Sequence, residues 1–168
     1  MVKLKRATAV LGIDPGTTRL GFAVISGTSA GPRLVASGVI GNAKLYPSAR
    51  LLEIHRALKE VIERHRPGHL ALEKLFFSKN VKTAMRVAEA RGVILLTAQM
   101  ANLRVYEYTP QEIKIALTGH GNADKRQVAT MVKTILRNTQ SPRFDDESDA
   151  MAIAITALAI LGSRQRSN

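Results

Sequence analysis

Residues 9–40 read AVLGIDPGTTRLGFAVISGTSAGPRLVASGVI. Three runs rich in β-branched residues, Ala9 to Ile13, Leu20 to Ser26 and Arg33 to Ile40, are separated by the turn-forming stretches DPGTT and GTSAG. Connections this short join strands as an antiparallel meander. The first run ends where apolar residues meet Asp14-Pro15-Gly16, so the Asp14 side chain is expected at one edge of a sheet.

Working outward, Leu51, Ile54, Leu58, Val61 and Ile62 recur at helical spacing from Ser48 to Arg66, and Pro67-Gly68 closes the run. A strand is expected at His69 to Leu72, a loop from Glu73 to Lys79, and a helix from about Asn80 carrying Met85, Ala88, Ile94 and Leu95. A strand follows at Arg104 to Tyr108. Strand, helix, strand is the pattern of a right-handed parallel crossover. A short helix from Pro110 to Leu117, the loop GHGNAD, a helix with Val128, Met131, Ile135 and Leu136, and a last helix from near Asp145 to a stop at Gly162 complete the chain. The order describes an α/β protein: a mixed five-stranded sheet with helices on its faces. One domain over residues 1–168 is expected, with a short basic tail at 163–168.

Composition narrows the partners. Lys and Arg number 25 against 13 Asp and Glu, a formal net charge of +12, and a polyanion such as nucleic acid is the simplest reason to tolerate that self-repulsion. Cysteine is absent, which excludes disulfides, thiolate zinc sites and a cysteine nucleophile and fits a reducing, cytoplasmic setting. The longest apolar stretch, Ala150 to Leu161, is well short of the about 20 residues of a membrane span, so no membrane partner is expected. The histidines, His55, His65, His69 and His120, are dispersed, and neither a zinc-protease nor a serine-hydrolase motif is present.

The carboxylates carry the chemistry. Asp14 alone reads as a turn residue, and Glu73, at the end of the apolar run LAL, is equally plain. If their two strands are neighbours, however, both side chains emerge together, and their repulsion must be relieved by a proton or a cation. In DDESDAMAIAITALAIL, residues 145–161, Asp146 and Asp149 lie three apart on one helix face. Acidic residues also favour helix N-termini through capping and the dipole. The apolar remainder of that helix nevertheless requires burial, which brings its acidic end to the sheet. Four carboxylates at one sheet end would suit Mg²⁺, or Mn²⁺, in a two-cation phosphodiester hydrolase.

Four blocks in order, LGIDPGTTRLGFAVI, ALEKLFFSKNVKTAMRVAEARGV, TPQEIKIALTGHGNADKRQV and DDESDAMAIAITA, resemble the RuvC family of bacterial Holliday-junction resolvases, over Leu11 to Ala157. The resemblance implies a ribonuclease H-like fold and a homodimer that makes paired metal-dependent cuts in a four-way DNA junction during recombination and repair. It further implies two Mg²⁺ per site on Asp14, Glu73, Asp146 and Asp149, and branch-migration motors as partners. Phe22, where a tyrosine is often seen, Lys74 after the glutamate and the short tail depart from the commoner pattern. Asp145 stands beside Asp146 as an alternative ligand.

For DNA contacts, Phe76 and Phe77 follow Glu73 in a chain with only 4% aromatic residues. Phenylalanines are usually core, but the resemblance places Phe76 at the family's base-stacking aromatic. Lys114 and Lys125 match basic residues near the family's metal site, and Lys79, Lys82, Arg86 and Arg126 are candidate phosphate contacts on what could also be an ordinary solvated face. Three rivals stand beside this reading. Another ribonuclease H-like nuclease would keep the carboxylates, a junction-binding protein without cleavage would not need all four, and an actin-like ATPase, suggested by GIDPGTT, would need a second domain.

Overall fold

A computed structural model of the chain describes residues 8–16, 18–41, 45–74, 81–137, 142 and 144–166, the side chains of 81–83 and 164–166 excepted. The meander forms as the sequence predicts: β1 (Ala9–Pro15) pairs antiparallel with β2 (Leu20–Thr28), which pairs antiparallel with β3 (Gly31–Ile40), with a bulge at Val24/Ile25. Helix α1 (Pro47–His65) ends at Arg66, whose left-handed backbone (φ 46°) returns its N–H to the Ile62 carbonyl. Strand β4 (His69–Glu73) then adds parallel to β1.

Helix α2 (Val81–Met100) crosses back so that β5 (Arg104–Tyr108) adds parallel to β4, giving the order β3-β2-β1-β4-β5. This is the mixed five-stranded sheet of a ribonuclease H-like fold. β1 lies at its centre because it pairs with β2 on one side and β4 on the other. Helices α3 (Pro110–Thr118), α4 (Lys125–Leu136) and α5 (Asp145–Arg166) complete the chain.

Burial divides the helices between the two faces. Leu11, Ile13, Val24, Leu70 and Leu72 pack with Leu58 of α1 and Ile94 of α2, while Val10, Ala23, Ile25 and Ala71 pack with α5 and, behind it, α3 and α4. The alternation along β1 is what a sheet covered on both sides requires. Among the described residues no helix is long and apolar enough to cross a membrane.

Two expectations change. The last helix does not stop at Gly162 but runs to Arg166. A glycine ends a helix when it takes a left-handed φ, and Gly162 is absent from the positive-φ residues among those described; burial of Leu158 and Leu161 holds this end of the helix on the core. On α2, Met85 is 60% exposed and Ala88 is exposed too, while Ile94 is buried as expected, in a stripe with Ala90 and Ala98.

Candidate active site

The parallel register of β1 and β4 pairs Ile13 with Leu72, so the next residues, Asp14 and Glu73, stand side by side where the strands end. Helix α5 delivers the other two carboxylates because it lies unusually close to the sheet. A Cβ on Gly21 of β2 would overlap the Asp146 carbonyl, and one on Gly12 of β1 would overlap the Ala150 carbonyl. These two glycines let the first turns of the helix rest on the strands beside Asp14. Ser37 of β3 donates to Glu147 Oε1 at 2.6 Å and fixes the helix end from the far side.

The electrostatics follow from this convergence. Burial pushes the Asp14 carboxyl up to about 7, and the negative charges of Asp149, Glu73 and Asp146 push in the same direction. Glu73 is raised by burial and then by Asp149, and Asp149 by burial and then, against the pull of Lys125, by Asp145 and Asp146. The cluster is short of positive charge, and nearby cations have come to it. The Lys125 ammonium lies 3.1 Å from Asp149 Oδ2 and 3.3 Å from Asp145 Oδ2, while Arg19 Nε lies 3.2 Å from Asp146 Oδ2. For Lys125, burial works to lower its pKa, but the hydrogen bond and charge of Asp149, then of Asp145, outweigh it and hold the ammonium above its ordinary value.

The carboxylates converge without closing: among the described residues no group of three or more acidic or histidine side chains is close enough to hold an ion as it stands. Asp146 and Asp149 are each turned toward a basic partner. The donor set nonetheless suits a hard divalent cation, being all carboxylate oxygen and already attracting ammonium and guanidinium groups. The geometry also separates the neighbours Asp145 and Asp146. The Asp145 side chain is 84% exposed and Asp146 24%, and Asp146, not Asp145, is among the charges that shift Asp14.

A cleft of about 230 Å³ opens beside the cluster, lined by Glu73, Asp149, Lys114 and Lys125 over an apolar floor of Val128 and Ile153. Its walls are held by two capping boxes. Thr109 and Glu112 bond reciprocally at the start of α3, and Asp124 and Gln127 do the same at the start of α4, one residue before Lys125. Arg126 faces away, lining a separate pocket with His120 and Gln127, and Arg86 is exposed on α2. Phe76, Phe77 and Lys79 lie outside the described residues, as does the side chain of Lys82.

Sequence reasoning missed Arg19 and the Ser37–Glu147 tie. Nothing local marks either, since each joins positions more than a hundred residues apart. The capping boxes were missed as well, although T-P-Q-E and D-K-R-Q carry their signal.

Residues 10–157 match the family model described as crossover junction endodeoxyribonuclease RuvC. The chain belongs to the RuvC family. It is 49% identical over 150 residues to the crossover junction endodeoxyribonuclease RuvC of Roseiflexus sp., covering 89% of each chain, and 46% identical over 148 residues to that of Brevibacillus brevis, covering 88% of this chain and 89% of the other. Among solved structures, Thermus thermophilus RuvC in complex with a Holliday junction substrate superposes with a TM-score of 0.88 at 36% identity, over 94% of this chain and 96% of that one. A yeast mitochondrial Holliday junction resolvase, at 15% identity and a TM-score of 0.68 over 95% of this chain and 83% of that one, shares the fold. Within this RuvC-family chain, the blocks quoted from the sequence all lie inside the matched residues.

Proposed function

We propose that the chain is a structure-specific endonuclease that resolves four-way DNA junctions by metal-assisted phosphodiester hydrolysis, working as one nuclease domain over residues 1–168. The observation that carries this reading is the convergence of Glu73, Asp146 and Asp149 on a half-buried Asp14, beside a cleft lined by Lys114 and Lys125. Asp14, Glu73, Asp146 and Asp149 would hold two Mg²⁺, with Mn²⁺ as a substitute. Bound there, the cations would activate water and stabilise the leaving oxygen.

The chain's own groups supply the rest. The rigid strand ends and the glycine-seated helix orient the carboxylates before any cation arrives, which is where preorganisation is worth most. Lys125, now shared by Asp145 and Asp149, becomes available to phosphate once a cation replaces it, and Lys114 lines the same cleft. Phe76, with Phe77, supplies a base-stacking surface worth about 1–3 kcal/mol per base, and Lys79, Lys82, Arg86 and Arg126 extend the phosphate contacts.

A two-fold homodimer suits the substrate, because it presents two equal sites to two like strands, and branch-migration motors are the expected partners. All four carboxylates come to one end of the sheet, which favours a cleaving enzyme over a binding protein. Titration calorimetry with Mn²⁺ tests the cation site: uptake that Asp14→Asn abolishes is expected, and equal uptake by wild type and variant would overturn the assignment.

A further inference from the structure

We infer that Arg19 is a phosphate-contacting residue of the same centre, held ready by Asp146 and Phe144 until a cation takes its place on Asp146; this rests on reading the carboxylates as a cation site. Arg19 sits in the turn that leads from Asp14 into β2. Its Nε lies 3.2 Å from Asp146 Oδ2, a buried oxygen with no hydrogen-bond partner, and its guanidinium carbon stands 4.6 Å from the centroid of the Phe144 ring. The pair therefore joins a flexible cation to one of the carboxylates that would hold metal. The Phe144 face orients the guanidinium plane.

Three features make this more than a surface ion pair. First, the Arg19 side chain is 46% exposed while its Nε meets Asp146, so the guanidinium fork that suits phosphate remains presentable. Second, the cations are distributed across the sheet edge. Lys114 acts on Glu73, on the β4 side of Asp14, whereas Arg19 stands at the start of β2, on the other side. A strand laid over Asp14 would meet basic groups both before and after the reacting phosphate. Third, the pairing is exclusive: Asp146 Oδ2 cannot serve both a guanidinium and a bound cation equally well. Cation binding at Asp146 frees Arg19, and Arg19 in turn opposes cation binding while DNA is absent.

The competing account is a brace that only ties the β1–β2 turn to the start of α5. Two measurements on the full-length chain separate them, using Arg19→Gln and Arg19→Lys. In DNA-free Mn²⁺ titrations, Arg19→Gln is expected to bind the ion more tightly than wild type; weaker binding would overturn the inference. In single-turnover cleavage, junctions are neutralised by methylphosphonate at one phosphate at a time around the cut. Arg19→Gln is expected to slow the unmodified junction by roughly 10–100-fold, the scale of one charge-assisted hydrogen bond, with Arg19→Lys in between. At one or two modified positions the difference between wild type and Arg19→Gln should vanish. Equal slowing at every position is the signature of the brace and contradicts the proposal. Wild-type protein that takes up no Mn²⁺ would remove the cation site and this inference with it, whereas uptake by wild type with weaker uptake by Arg19→Gln removes the inference alone.

Discussion

At the scale of single residues, the proposed cation site sets a proton against a cation at Asp14. Its carboxyl is raised to about 7 from 3.8, so folding favours its neutral form. That contribution to stability is fully present below pH 3.8 and is lost as the pH rises through about 7, by up to about 4 kcal/mol. Asparagine cannot ionise and loses nothing over the same range. In chelator, Asp14→Asn should therefore gain on wild type between pH 4 and 7 and melt higher at pH 8; a gap that does not change with pH would refute the shift. The same proton must leave before a cation binds, so Mn²⁺ affinity of the wild type should climb as the pH approaches 7 and flatten above it.

The carboxylates themselves were legible in the sequence only in combination. Asp14 and Glu73 became a pair once two apolar runs were read as adjacent parallel strands, and Asp146 joined them through the three-residue spacing to Asp149. The choice between Asp145 and Asp146 could not be made from sequence, because it depends on which way the first turn of α5 faces. Nor could Arg19, whose partner is brought near only by the folding of the whole sheet.

At the scale of elements, the contact of α5 with β1 and β2 is the feature that assembles the site. A methyl group at Gly21 would meet the backbone of Asp146 itself, so Gly21→Ala must lift the helix end or bend the strand. Overpacking of this kind costs about 1–3 kcal/mol, and cleavage should fall further than the melting temperature suggests, since the displaced groups are those of the site. Gly162 provides the contrast. It lies within α5, and a Cβ there meets nothing within 4 Å, so Gly162→Ala should stabilise by about 0.4–1 kcal/mol and leave cleavage unchanged. Thermal melts beside cleavage rates check both; a Gly21→Ala protein with full activity would show that close seating of α5 is not required.

Strands and most helices were readable because their apolar periodicities are strong. The error at Gly162 shows the limit of local signals: glycine carries a stop only where the backbone turns left-handed, and here the burial of Leu158 and Leu161 keeps the helix going. The exposure of Met85 has a similar cause, since apolar spacing along α2 offers more than one face and only packing against α1 and the sheet selects Ala90, Ile94 and Ala98.

At the scale of the whole molecule, charge and symmetry set the behaviour toward DNA. The net charge of +12 per chain doubles in a dimer, and a surface contacting about 6–10 phosphates should lose roughly 10³–10⁵-fold in affinity between 50 and 200 mM salt. A flat response in filter-binding or fluorescence titrations would argue against phosphate tracking. Charge alone does not distinguish a junction from a duplex; the paired sites of the proposed homodimer would.

Incubation of the chain with Mg²⁺ or Mn²⁺ and a labelled four-way junction, beside duplex DNA, an RNA/DNA hybrid and the Asp14→Asn variant, tests the central claim most directly. Paired nicks in opposing strands of the junction are expected, with the duplex and the hybrid left intact. Asp14→Asn should cut at least about 10²-fold more slowly, since loss of a ligand exceeds the 10–100-fold typical of losing the groups that merely orient one. Cutting of the hybrid but not the junction, or undiminished cutting by Asp14→Asn, would contradict the account.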